Sequence, residues 1–449
     1  MNESTSFSDL SSTTRNILYA FGTCCIGALL IFAGVIIQWI VTRLMSLFAR
    51  PPARKKRIRQ KKGVSTEEVE PSPSRTRKPK SGGTHKTIKE LMRESEAAQH
   101  KKLSGADKHQ RHPLFLNSFK DHKNKVTGVG WLPDCSALCT ACEDEVIRIF
   151  NFSGGVDKNV KMKQFNILGV PVGVGFVGEA TKIAVLMEGK VHPASLCMCS
   201  LEASDSGPKW ITTVTNGIFG KDGPMRMECT ISEAGQCPVI VCCSETKAAV
   251  VFDRNGVALS SFEPNSFTNH DLGVSHDGKF VSVGTFTADA KVWELQYKNG
   301  TFKGSPKVMD LKGHTGQIMS VAFTMDSKKA VTVSLDGTMK VWNLDVWYRK
   351  QEDPKCLRTI PLNLPKGKCY HRLSFGPENI LAAAFESDIY FIDIYYGTVI
   401  HSIEKAHDGK ISTLCWAPKK VNTKAKGYCS ALASAGTDFR VRLWADPRA

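Results

Sequence analysis

The sequence predicts an all-β fold: one β-propeller of seven four-stranded blades over residues 112–449, preceded by a transmembrane helix and a disordered basic linker. Three observations carry this prediction. From residue 112 onward a unit of roughly 48 residues recurs with landmarks at fixed intervals, the mark of a repeat architecture. The last unit lacks a strand that the segment before the first can supply. Upstream of 112 the chain has no such repeat, only one long uncharged apolar run and one Lys/Arg-rich tract.

The clearest unit is Leu311 to Leu344. Lys312-Gly313-His314 opens it and Lys340-Val341-Trp342 closes it. Between lie an apolar run (Ile318, Val321, Phe323), a turn at Asp326-Ser327-Lys328, a second run from Ala330 to Val333, and a tight turn at Asp336-Gly337. Asp336 stands six residues before Trp342, and Thr332 four before Asp336. Folded as one blade, these positions bring His314, Thr332, Asp336 and the Trp342 indole into a buried hydrogen-bonded row that pins strand register. A hydroxyl, a histidine and a carboxylate also compose a catalytic triad. Recurrence of the pattern along the chain assigns the row to structure instead.

In this fifth unit an aromatic, Phe323, lies nine residues after His314 and nineteen before Trp342. His122, Trp131 and Phe150 keep both intervals in the first, with Thr140 and Asp144 at the hydroxyl and carboxylate positions. Phe150 replaces Trp there, so that row loses its last donor. In the seventh, His407 and Trp416 keep the nine, while Ser434, Asp438 and Trp444 keep the four and the six; Pro418 to Gly427 is an insertion between its first two strands. The sixth (Phe375 to Ile394, with Asp388) lacks the histidine, and the fourth (Val274 to Trp293) has Thr287 in the carboxylate position. The second is inferred from strand-like runs at 170–177, 182–187 and 195–201, and the third from 227–232, 238–243 and 247–253. Trp444 lies on a third strand, five residues from the end of the sequence. The apolar segment 112–119 is therefore expected to supply the missing outer strand and close the ring.

Residues 1–15 form a short tail. Residues 16–42 contain no charged side chain and would span about 40 Å as a helix, more than the hydrocarbon core requires. A cleaved signal peptide fits less well, because a basic leading region is nearly absent and the apolar run is long. The charge of +17 is unevenly spread: residues 43–112 carry +13 and residues 113–449 only +5. Nine Lys/Arg and no acid between Arg43 and Lys62, against Arg15 alone on the other flank, direct residues 43–449 to the cytosol. The linker 43–111, rich in Lys, Arg, Ser and Pro, reads as a disordered tether with a short helix through 85–103. Its cluster Arg54, Lys55, Lys56, Arg57, Arg59, Lys61 and Lys62 has three open readings: a solvated topology signal, a contact with anionic lipid, or a contact with RNA phosphates. Fifteen cysteines, an odd number, fall mostly within strand-like runs and suit a reducing compartment; Cys139 and Cys142 match C-x-x-C but lie within one strand.

The stretches 275–294, Leu311 to Thr315, 341–354 and Ala141 to Ile149 carry a family resemblance. With the anchor and the basic tether, they make the chain similar to the membrane-anchored transducin beta-like members of the WD40-repeat family. That resemblance implies a non-enzymatic, single-pass protein of the endoplasmic reticulum membrane with a cytosolic propeller. It also implies protein partners that include an ER-stress kinase and ribosomal components or mRNA. Read from the residues alone, the sequence offers no catalytic constellation, metal cluster or cofactor motif. Its lone loop histidines, His270 and His276, read as solvated or turn-capping. Two functions stay open, a membrane-tethered interaction scaffold and an RNA- or ribosome-binding adaptor that uses the basic linker.

Overall fold

The computed structural model describes residues 112–448, apart from short stretches chiefly between 153 and 267. The expected tail, anchor and linker, including Arg54 to Lys62 and the helix at 85–103, lie outside the described residues. Among the described residues no helix is long and apolar enough to cross a membrane.

Alternating turn and apolar run fold into seven four-stranded antiparallel sheets, arranged as the blades of one propeller. The innermost strands are Val126–Trp131, Pro171–Phe176, Pro224–Cys229, Asn269–Val274, Ile318–Phe323, Arg372–Phe375 and Ile411–Trp416. Second strands such as Ala137–Cys142 and Ala431–Gly436 are buried on both faces between neighbouring blades, so they read as unbroken apolar runs rather than alternations. Outer strands are edges and carry charge accordingly: Lys161–Asn166 and Lys355–Pro361 are mostly exposed. The core lies between blades; one cluster joins Trp131, Leu138 and Phe150 of the first blade to Ala433, Val441 and Leu443 of the seventh.

Ring closure follows the expected route. Phe115–Phe119 is the outer strand of the seventh blade, pairing Phe119 with Val441 and Phe115 with Trp444. The Ala445 N–H donates to the Leu114 carbonyl at 2.7 Å, and Phe119 stacks on Phe150 with ring centres 4.2 Å apart. The last blade thus holds the two ends of the propeller together and leaves no open interior edge.

The weaker second and third blades are present with shifted bounds. The first strand of blade three is Pro224–Cys229, three residues earlier than 227–232. Outer strands Lys209–Val214 and Ala258–Phe262 complete the two sheets. The insertion in blade seven is a small hairpin, Val421–Thr423 with Gly427–Cys429, and blade four carries another, Gln296–Lys298 with Thr301–Gly304. Because strands alternate in direction, the turns after the first and third strand of each blade share one face, called here lower. Those after the second and fourth share the upper face.

Candidate functional site

The rows occupy the upper end of their blades, where the residues before the first strand meet the turn after the second. In blade five the Trp342 Nε1–H donates to Thr332 Oγ1 at 2.8 Å, and Thr332 lies 2.8 Å from His314 Nε2. His314 Nδ1 lies 2.8 Å from Asp336 Oδ2. With Thr332 accepting from the indole, its own proton goes to Nε2, so Nδ1 carries the hydrogen that meets the carboxylate. Burial pushes the Asp336 carboxyl up, but donors from Thr338, the Thr315 N–H and His314 outweigh it and hold the pKa at about 2. Blade seven repeats the row: Trp444 to Ser434 at 2.8 Å, Ser434 to His407 at 2.7 Å, His407 to Asp438 at 2.9 Å.

Blade one departs from it. His122 Nε2 meets Thr140 at 2.9 Å, but Asp144 does not join the row. Both its oxygens are taken by Arg148, at 3.1 and 2.7 Å, and His122 Nδ1 is left without a hydrogen-bond partner. The cause is the residue four places after the carboxylate. In blade five Lys340 turns outward to Thr359, at 2.9 Å, and leaves Asp336 to the histidine. In blade seven Arg442 Nη1 donates to Asp438 Oδ2 at 2.6 Å and lies 2.8 Å from His407 Nδ1, while Asp438 Oδ1 stays 2.9 Å from the same ring nitrogen. In blade one the guanidinium grips both oxygens in fork geometry. Burial and the neighbouring Arg148 charge then push His122 down to a pKa of about 3. Phe150, lacking a donor, packs on Phe119 instead.

The channel holds charged residues that sequence reading missed. Arg226 pairs with Glu228 on the same strand at 2.9 Å and lies 3.7 Å from Asp271 of the next blade. Arg372, two blades further round, lies 3.5 Å from the same Asp271 oxygen, and Ser320 from the intervening blade donates to the other. Burial pushes the Glu228 carboxyl up despite Arg226 beside it, and pushes the Arg372 guanidinium down despite Asp271. The four charges, from blades three, four and six, cancel in a ring to which blade five adds the Ser320 hydroxyl. Their only signal in the sequence is a charged residue inside otherwise apolar first strands, as in PMRMEC and NHDLGV.

Beside this ring, and sharing Arg226 and Glu228 with it, a cavity of about 410 Å³ runs to the lower channel mouth, walled by blades one, two, three and seven with His276 of blade four at its rim. Trp131, Phe176, Ile231 and Trp416 give it apolar walls; Arg226, Glu228, His276 and Lys419 give it polar points. Glycines shape its wall: a Cβ on Gly175 would lie 2.7 Å from Cys229 Sγ, so only glycine lets the first strands of blades two and three approach this closely. His276, read from sequence as a loop residue, thus sits at the rim, with burial lowering its pKa. The size suits a side chain or small ligand. No hydroxyl or thiol here pairs with a histidine outside the structural rows. Cys139 and Cys142 are buried free thiols bonded to the Gly130 and Asn124 carbonyls, with burial raising both pKa values. Among the described residues no group of three or more His, Cys, Asp or Glu is placed to hold a metal ion.

Comparison with known proteins agrees with this geometry. The family described as WD domain, G-beta repeat matches residues 114–151 and 305–343: the closing strand with the first three strands of blade one, and the outer strand of blade four with the first three strands of blade five. Transducin beta-like protein 2 of Homo sapiens is 26% identical over 306 residues, covering 68% of this chain and 67% of that protein. Its Mus musculus counterpart is 26% identical, covering 68% of each. Apoptotic protease-activating factor 1 of Rattus norvegicus is 23% identical over 69% of this chain but 26% of its own length. The chain is a seven-bladed propeller with WD40 repeats at 114–151 and 305–343, similar over about two thirds of its length to the transducin beta-like protein 2 of human and mouse.

Proposed function

We propose that this chain is a membrane-anchored scaffold that binds protein partners on the cytosolic face of the endoplasmic reticulum. WD40 propellers are a protein-interaction type. One observation carries the reading here: the 410 Å³ cavity at the lower channel mouth is open, part apolar and part charged, while the histidine–carboxylate groups are committed to holding strands together. A rigid ring with such a recess can seat a peptide side chain without remodelling. The uncharged stretch 16–42 and its basic flank support the anchor and the orientation. The family resemblance supports the organelle and the link to ER-stress kinase signalling and translation.

The test is proximity labelling from the full anchored chain, compared with Ile231→Glu and Lys419→Glu, which alter the cavity rim. A scaffold using this recess loses a defined subset of labelled neighbours in both variants. Identical labelling in all three would remove the cavity from the docking surface. A second reading, an RNA- or ribosome-binding adaptor, rests on Arg54, Lys55, Lys56, Arg57, Arg59, Lys61 and Lys62. Replacing these seven with Gln should abolish RNA crosslinking and flatten its salt dependence. Unchanged crosslinking removes the RNA reading and leaves the cluster as a solvated topology signal or a lipid contact.

A further inference from the structure

Large aromatic side chains are seldom left in water in isolation, and here four exposed ones gather. Trp347, Tyr395, Tyr396 and Tyr428 are 70%, 74%, 69% and 73% exposed. All stand on lower-face turns of three consecutive blades: Trp347 and the tyrosine pair after the third strands of blades five and six, Tyr428 on the hairpin after the first strand of blade seven. None of the four lines the channel-mouth cavity. Basic residues accompany them: Lys350 lies 4.8 Å from the Trp347 ring centre, and Lys424 and Lys426 are exposed beside Tyr428.

These turns are held in place. Asp393 accepts from the Tyr395 and Tyr396 N–H groups at 2.7 and 3.1 Å, and Glu352 accepts from the Trp347 N–H at 3.0 Å. Asp393 and Glu352 are thereby occupied in shaping the display; on the same blade-five loop Asp345 pairs with Lys328 at 3.6 Å and Asp353 is exposed. The blade-seven hairpin is clamped to blade one: the Val156 N–H donates to Asn422 at 3.1 Å, and the Lys424 N–H to Asp157 at 2.7 Å. Val421, Thr423 and Cys429 turn inward, so Asn422, Lys424 and Tyr428 turn outward. The chain also enters the propeller here. Phe115 pairs with Trp444 and Ala431 with Ala445, which puts residue 112 at the same end of blade seven as the hairpin.

We propose that the lower rim of blades five to seven is a docking surface for an anionic lipid membrane, with its aromatic rings at headgroup level and its lysines on lipid phosphates and carboxylates. Tryptophan and tyrosine favour that zone, and lysine near it is attracted electrostatically. Lysine is depleted at the centre of protein interfaces, which argues against a protein occupant. Single-stranded RNA uses a continuous stacking groove, whereas these rings stand on three separate turns, and the one adjacent pair, Tyr395 and Tyr396, meets edge to face. The proposal rests on the anchored reading above for the nearness of the membrane. The rim lies to one side of the channel mouth, so lipid contact there leaves the wall formed by blades two and three open.

The test uses the full chain with phosphatidylcholine vesicles and with vesicles that also carry phosphatidylserine. Flotation with phosphatidylcholine alone reads the anchor. Hydrogen exchange of peptides covering 345–350, 393–397 and 419–428 reads the rim. Protection of these peptides is expected only with phosphatidylserine present, weakening about fivefold in contact equilibrium for each of Lys424→Gln and Lys426→Gln. It should also weaken in Trp347→Ser and at high salt. Equal exchange on both vesicles overturns the proposal even if the chain floats. Protection produced by added RNA and not by phosphatidylserine also overturns it, in favour of nucleic acid. Protection of the rim peptides by phosphatidylserine vesicles without flotation on phosphatidylcholine keeps the rim and removes the anchor.

Discussion

Asp144→Ala tests the reading of the rows most sharply, because sequence position alone equates Asp144 with Asp336 and the geometry does not. Arg148 is about as buried as Phe150 and receives its counter-charge from Asp144 through two hydrogen bonds of 3.1 and 2.7 Å. Its Nε has no other partner. Truncating Asp144 leaves a guanidinium buried without an anion, a loss of about 3–5 kcal/mol. At Asp336 the carboxylate is 9% exposed, and of its donors only the His314 ring is sealed from water. Asp336→Ala should therefore cost about 1–3 kcal/mol. Asp326, which caps an exposed turn through Thr324 and the Lys328 N–H, should cost about 1 kcal/mol or less. The assay is urea denaturation of the full chain in mild detergent, followed by tryptophan fluorescence. The double variant Asp144→Ala/Arg148→Met should recover most of the loss, since a buried pair replaced by apolar atoms is nearly neutral. An Asp144→Ala midpoint no lower than that of Asp326→Ala, or a double variant that sums the two singles, would refute the buried-pair account.

Deleting 112–119 should lower the melting temperature steeply, and Phe119→Ala alone should cost about 3 kcal/mol, given its stack on Phe150; an unchanged melting curve counts against closure. Acid should destabilise the propeller well before its carboxylates protonate. Burial holds His122 and His371 at about 3 and about 4, below the ordinary 6.5, so the unfolded chain takes up protons that the native state refuses. Their contribution is complete above pH 6.5 and is lost as pH falls toward those lower values, and His122→Gln should flatten the slope of stability against pH in that window. Asn299 sits at the exposed turn of the blade-four hairpin, in an Asn-Gly-Thr acceptor sequence. With the propeller in the cytosol it stays unmodified, and protease digests the domain in intact microsomes; a glycosidase-sensitive mass shift at Asn299 with protease protection reverses the topology.

Blades one, five and seven were legible because each spends polar residues at fixed spacings, and a histidine or tryptophan is rare enough to serve as a landmark. Blades two and three hold the same sheets with apolar contacts such as Leu186, Leu196 and Val241, which carry no positional mark, so their bounds drifted. Outer strand Ala258–Phe262 went unread because it has no buried residue and so carries no apolar pattern to read. Asp144 lies in the turn after the second strand, as Asp336 does, but its partner is Arg148 rather than the histidine. The deciding residue is Arg148, whose guanidinium fork takes both carboxylate oxygens, against Lys340, which turns away to Thr359. The channel ring of Arg226, Glu228, Asp271 and Arg372 depends on curvature: neighbours in space come from blades far apart in sequence, which no local pattern encodes.

Closing the ring with its own first strand sets an order of events for the newborn chain. Phe119 must wait for Val441, about 320 residues later, so the longest loop in the fold closes last. At ordinary synthesis rates that wait lasts some tens of seconds. Throughout it the backbone of 115–119 has no ladder partner, and blade one lacks the blade-seven residues that share its core. The interval is when this chain is most open to pairing with a stranger, and it ends only when the ribosome has delivered Trp444.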